Sequence, residues 1–164
     1  MMNVNLQQLF TMQKELDAFI EKTQGIDFDV FREKTLALLV ELGELANETR
    51  CFKFWSTKGP SEDAVILEEF VDSVHFLLSL GIMKGFNDLK EWPTDARDAS
   101  LTELFLQAQQ AIIVFGNEPK RENYEEIWKC YGAIARTLQF DAQQIIDAYI
   151  SKNEKNYERQ RTGY

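Results

Sequence analysis

Apolar residues recur along this chain at helical rather than alternating spacing, and only three prolines and eight glycines punctuate its 164 residues. The pattern predicts helices over Asn5 to Lys22, Asp29 to Arg50, Ser61 to Lys84, Leu101 to Phe115, Arg121 to Thr137 and Asp141 to Tyr157. Several starts carry capping chemistry: Asp29 precedes the run from Val30 with Glu33 in the first turn, Ser61 opens Ser-Glu-Asp, and Asp141 opens the last helix. Trp55 to Pro60 and Gly85 to Ala99 are the two substantial connections. No repeat, low-complexity segment or linker divides the chain, so the expectation is one all-α domain over residues 1–164, a bundle of about six helices.

The second and third helices lack the single apolar stripe of a surface helix. From Leu36 to Ala46 the only charges are Glu41 and Glu44, and they project among Ala37, Val40 and Leu45 rather than onto a polar face. From Ala64 to Met83 the only charges are Glu68, Glu69 and Asp72. Residues three or four apart share a helix face, so Glu41 with Glu44 and Glu69 with Asp72 each form a carboxylate pair in apolar surroundings. Were the two helices to pack antiparallel, the pairs would converge, and charges ~4 Å apart repel by about 4 kcal/mol at an effective dielectric near 20. Such a cluster must take up protons or cations. All-oxygen ligands favour magnesium or manganese. A single histidine, His75, argues against a ferritin-like di-iron site, which takes a Glu-x-x-His from each of two helices. A hard cation with open positions for water and phosphate oxygens suits hydrolytic attack on phosphorus. The competing reading of a different class is a helical interaction module whose acids form a docking surface.

Composition narrows the field. The hydrophobic share of 45% can build a core, and the net charge of −9 opposes binding to nucleic acid through a broad basic surface. A small anionic ligand then needs local cations. Cys51 and Cys130 form no CxxC motif and read as reduced, packed thiols. The N-terminal stretch lacks the pattern of a secretory signal, and Phe70 to Met83, interrupted by Asp72 and His75, is too short to span a bilayer. The expectation is a soluble, cytoplasmic protein that binds neither membrane nor nucleic acid.

Three further segments carry candidate chemistry. Lys152, Asn156 and Arg159 fall at i, i+4 and i+7, a row suited to phosphate oxygens or, equally, a basic C-terminus complementing its helix dipole. The stretch Arg50 to Lys58 mixes cations with aromatics that would hold a base and phosphates or pack as core. His75, on an apolar helix, is either a hydrogen-bonded core histidine or a functional group.

These residues carry a resemblance. Glu41-Leu-Gly-Glu44 followed by Glu69-Phe-Val-Asp72 resembles the signature of the all-α nucleoside triphosphate pyrophosphohydrolases, the superfamily that includes the MazG-type enzymes. The stretches Glu41 to Ser56, Glu68 to Gly81 and Tyr149 to Tyr164, with Met12-Gln13 on the first helix, are similar to the dimeric dUTP diphosphatases. Glu91 to Thr137 adds little to this likeness, and Val40 stands where that motif often has a further acid. The resemblance implies a homodimer that hydrolyses dUTP, and dUDP, to dUMP through metal-activated water, with two Mg2+ ions per site and Mn2+ as a possible substitute. It further implies Glu41, Glu44, Glu69 and Asp72 as metal ligands, with Glu68 an alternative to Glu69 and with Glu41 or Glu44 as the catalytic carboxylate that activates water. Lys152, Asn156 and Arg159 would hold the phosphates; His75, Phe76 and Gln13 would line the uracil pocket; Trp55 and Lys58 would add substrate contacts. The alternative within the superfamily is a MazG-type enzyme with another or broader base preference.

Overall fold

The computed structural model describes residues 3–163, so Tyr164, the last residue of the C-terminal motif, lies outside the described residues. Among the described residues there are six helices: α1 (Leu6–Gln24), α2 (Phe31–Thr49), α3 (Asp63–Lys84), α4 (Leu101–Asn117), α5 (Arg121–Thr137) and α6 (Ala142–Arg161). The periodicity located every one, with ends displaced by at most four residues, the largest shift being α6, which runs to Arg161.

Capping explains the boundaries. The Asp29 carboxylate accepts from the Phe31 amide at 2.9 Å, and Asp141 with Gln144 forms a reciprocal capping box at the start of α6. Ser61 behaves differently from expectation: Glu62 is the α3 cap, while the Ser61 amide donates to the Glu48 carbonyl and its hydroxyl to the Glu48 carboxylate. It therefore pins the connection onto the end of α2. Gly85, at φ 77°, closes α3 in the left-handed conformation that glycine adopts without a Cβ clash.

Helix α3 occupies the centre, packed against α1, α2 and α6, with α4 laid on α2 and α5 on α4. That position explains its all-round apolar sequence: Ile66, Phe70, Val71, Val74, Leu77, Leu78 and Leu80 are all buried. Tyr124 of α5 reaches it too, donating to the Leu77 carbonyl at 2.7 Å. The 86–100 connection is held by Trp92, buried with its indole N–H on the Trp128 carbonyl at 2.8 Å, and by a bridge pairing Asn5 with Glu91.

Two expectations need correction. The aromatic stretch after α2 is not core: Phe54 is 93% and Trp55 64% exposed. The Arg50 side chain organises it instead, donating to the Lys58 carbonyl and the Ser56 hydroxyl at 3.1 and 2.9 Å, so the loop curls round a guanidinium and its rings point outward. Helix α2 is likewise apolar on an uncovered side, where Leu36 and Val40 are exposed, and Glu44 is exposed rather than interior. Cys51 and Cys130 are free thiols, Cys130 buried, and no described helix is long and apolar enough to cross a membrane.

A Cβ added at Gly81 would overlap the Tyr124 hydroxyl, whereas one at Gly43 meets nothing within 4 Å. In urea denaturation Gly81→Ala should cost about 3 kcal/mol through overpacking, while Gly43→Ala should be neutral or gain up to about 1 kcal/mol from helix propensity. Equal effects would show that the α3–α5 contact does not constrain the core.

Candidate active site

Four helices line a cleft of about 340 Å³, each through the one-sided spacing i, i+3 or i+4, i+7. Helix α1 supplies Gln13, Leu16, Asp17 and Ile20; α2 supplies Lys34 and Glu41; α3 supplies Asp72, His75, Phe76 and Ser79; α6 supplies Lys152, Asn156 and Arg159. The central helix thus presents acid, aromatic and hydroxyl groups in one row, and α6 faces that row with its cations.

At one end of the cleft the carboxylates gather. One oxygen from each of Glu41, Glu69 and Asp72 lies within 4.8 Å of the others. Glu41 Oε2 and Glu69 Oε2 are buried with no hydrogen-bond partner among the described residues, which leaves their lone pairs unsatisfied. Burial first, then the charges of Glu44, Asp72 and Glu69, push the Glu41 carboxyl up to about 8. Burial, then Asp72, Glu44 and Glu48, push Glu69 up to about 7. Asp72 is raised by burial against the pull of Lys152, whose ammonium lies 3.1 Å from Asp72 Oδ1, close enough for an ion pair though not aligned as a hydrogen bond. Lys152 also meets Glu68 at 3.2 Å, and Lys155 approaches the same oxygen at 3.7 Å, so Glu68 faces cations rather than the acidic group. Glu44 sits beside Glu41 and Glu69 on the exposed rim. Oxygen-only donors with unpaired buried lone pairs and displaced acidities fit a hard divalent cation.

His75 lines the cleft one turn of α3 beyond Asp72. Its ring stacks on Tyr149 with centroids 4.3 Å apart and planes at 18°. Neither ring nitrogen has a hydrogen-bond partner among the described residues, unlike the satisfied core histidine that was the plainer expectation. Burial, with the Lys152 cation adding to it, lowers its pKa to about 3, so the imidazole is neutral at physiological pH. Trp55 and Lys58 do not line the cleft of the single chain; both are exposed on the α2–α3 connection.

Sequence reasoning missed Asp17, Lys34 and Ser79, which extend the cleft beyond His75. The Gln13 amide nitrogen donates to Asp17 Oδ1 at 2.8 Å, the Ser79 hydroxyl donates to Asp17 Oδ2 at 2.6 Å, and the Lys34 ammonium donates to the Ser79 hydroxyl at 2.6 Å. A signal existed: Asp17 is i+4 from Gln13, Ser79 i+7 from Asp72, and Lys34 seven residues before Glu41.

A cleft with acids able to hold a hard cation at one end, cations along one side and a neutral aromatic wall has the chemistry to accept an anionic group together with a flat, uncharged ring. The model of the dUTPase family matches residues 5–164. The chain belongs to the dUTPase family. No curated protein matches it. As a dUTPase it is an enzyme that hydrolyses dUTP, which decides against the docking-module reading. The family match takes in residues 91–137, to which the sequence motifs contributed little. The acidic triad gives this dUTPase residues able to hold a metal ion, in keeping with the general metal dependence of dUTPases.

The displaced acidities fix a pH dependence. Glu41 and Glu69 keep their protons to about 8 and about 7 in the folded chain against 4.5 unfolded, so over that window the folded state binds more protons and loses stability as pH rises. His75 acts oppositely, but only between about 3 and 6.5. Between about pH 6.5 and 8 the carboxylates alone set the slope. In metal-free buffer the melting temperature should fall across that interval, Glu41→Gln should flatten the fall, and magnesium should abolish it with release of protons. A melting temperature that rises with pH there would contradict the acidic cluster.

Proposed function

We propose that this dUTPase converts dUTP, and also dUDP, to dUMP in a magnesium-dependent reaction in which water attacks the α-phosphorus. The observation that carries the proposal is the convergence of Glu41, Glu69 and Asp72 oxygens at the mouth of a cleft whose side wall bears Lys152 and Arg159. Glu41, Glu44, Glu69 and Asp72 would hold two ions per site, with manganese a possible substitute; Glu44, beside the triad on the exposed rim, completes the set from the solvent side. Bound there, magnesium would offset the charge of the phosphate chain and make water more acidic.

The chain's own groups perform the remaining work. Glu41, which a bound ion would keep ionised, would take the proton from water as the new Pα–O bond forms, and Glu44 is the neighbouring carboxylate able to share that role. The bond from Pα to the bridging oxygen breaks, and pyrophosphate leaves from dUTP or phosphate from dUDP. Lys152, Asn156 and Arg159, stacked along one face of α6, bind the departing oxygens; Lys152, which neutralises Asp72 in the free cleft, is already positioned beside the acids. The base lies against Phe76 and neutral His75, within reach of Gln13. A neutral imidazole at this wall avoids placing a second cation where the uncharged base must sit.

We further propose a cytoplasmic homodimer. The exposed apolar residues Leu36 and Val40 of α2 and Leu106 and Ile113 of α4 support it, since helices α2 and α4 pack against each other and each leaves apolar side chains uncovered. In such an assembly Trp55 and Lys58, outside the cleft of one chain, would contribute from the partner.

A panel of dUTP, dUDP, dCTP, dTTP and UTP, assayed with and without magnesium, tests the function. The expected result is magnesium-dependent formation of dUMP, with dUTP preferred over the other triphosphates. Equal rates across the bases would favour a MazG-type enzyme of broad preference. Glu44→Ala and Asp72→Ala should each retain less than about a tenth of wild-type turnover while keeping the helical circular dichroism; greater retention would remove those residues from the proposed site.

A further inference from the structure

The hydrogen bonds around Gln13 run in one direction from end to end. Lys34 has donors only, so its ammonium donates to the Ser79 hydroxyl, and that hydroxyl must pass its own proton to Asp17 Oδ2. Asp17 Oδ1 can then only accept, which obliges the NH2 side of the Gln13 amide to face it. At the other side, the Tyr149 hydroxyl donates to Gln13 Oε1 at 2.8 Å. Gln13 is 4% exposed, Tyr149 fully buried beneath the His75 stack, and Lys34 lies 3.8 Å from Asp17 Oδ2, holding charge opposite it. With one N–H and one oxygen lone pair engaged, the amide keeps one donor and one acceptor, in an order it cannot reverse.

We infer that Asp17 and Tyr149 are positioning residues that set the base preference of this dUTPase by locking the Gln13 amide in the orientation that pairs with uracil and opposes cytosine. The inference rests on the placement of the base beside Gln13 proposed above. Uracil offers N3–H and the O4 carbonyl side by side, and an amide meets them by accepting at Oε1 and donating from Nε2. Cytosine offers the reverse at the same atoms, an acceptor at N3 and an amino group at C4. Against the locked amide it meets donor with donor and acceptor with acceptor. A free amide would rotate by half a turn and accept cytosine, so discrimination resides in what prevents that turn. A buried site that leaves polar groups unpaired with the wrong ligand rejects it strongly.

Asp17→Asn is the decisive variant, because Asn can donate as well as accept and no longer dictates which side of Gln13 it faces. The expected result is a fall of at least about tenfold in the ratio of kcat/KM for dUTP to that for dCTP, through a higher KM for dUTP and a lower one for dCTP. In a Gln13→Ala background the same change should leave the ratio where Gln13→Ala set it, since Asp17 acts through the amide. Tyr149→Phe, which keeps the ring on His75 and removes only the second anchor, should lower the ratio by about threefold. A ratio within twofold of wild type in Asp17→Asn, or an equal further fall in the Gln13→Ala background, overturns the inference. Should Asp17→Asn not fold, an unchanged ratio in Tyr149→Phe overturns it in the same way. The base assignment fails separately, through a wild-type enzyme that does not prefer dUTP to dCTP.

Discussion

Three carboxylates held together between greasy helices govern this molecule. At separations near 4 Å a pair of like charges costs about 4 kcal/mol even at an effective dielectric of 20, and Glu41, Glu69 and Asp72 bring their oxygens within 4.8 Å of one another. Nothing in the packing of α2 on α3 requires acids at those positions; Leu38, Leu42, Leu45, Phe70 and Val74 supply the contact. The fold therefore carries a repulsion that its core overcomes, and the molecule answers it in two ways. Proton affinity rises at Glu41 and Glu69, and α6 brings Lys152 across to Asp72. Helix α6 thus serves as counter-charge to the α2–α3 pair, and its placement on α3 ties the electrostatics of the site to the architecture of the bundle.

The helices themselves were readable because each announces its period and most announce their ends. Helix α3 was readable as more than a surface helix because it is apolar on every side, and a helix surrounded by neighbours has no reason to be otherwise. The same logic misled for α2. Its apolar residues also continue round the cylinder, yet Leu36 and Val40 face outward and Glu44 with them, so hydrophobicity there marks an uncovered face rather than an interior one. The loop after α2 misled for a related reason: aromatic residues ordinarily bury, but Arg50 spends its donors on the backbone and hydroxyl of that loop and turns Phe54 and Trp55 to the outside.

Within the cleft, legibility followed charge density. Acids isolated in apolar runs stood out at Glu41, Glu69 and Asp72, and the basic row of α6 stood out in an otherwise acidic chain. Asp17, Lys34 and Ser79 did not: Asp17 and Lys34 sit among other polar residues where a solvated side chain is the ordinary explanation, and Ser79 is an uncharged hydroxyl in an apolar run, where it reads as packing. What distinguishes them is mutual contact across helices α1, α2 and α3, which no single-helix pattern encodes. His75 was visible as an oddity, but its unbonded ring nitrogens and its stack on Tyr149 belong to tertiary structure alone.

Every residue of the cleft from α1, α2, α3 and α6 stands on a helix interior rather than on a loop, which limits how such a site can change over evolutionary time. One inserted residue turns all that follows it by about 100°, so an insertion between Asp72 and Ser79, or between Lys152 and Arg159, would swing the downstream half of the site out of the cleft. Divergence among descendants of this architecture is thereby channelled into exchanges of side chain at fixed slots, while changes of length are left to the turns between helices.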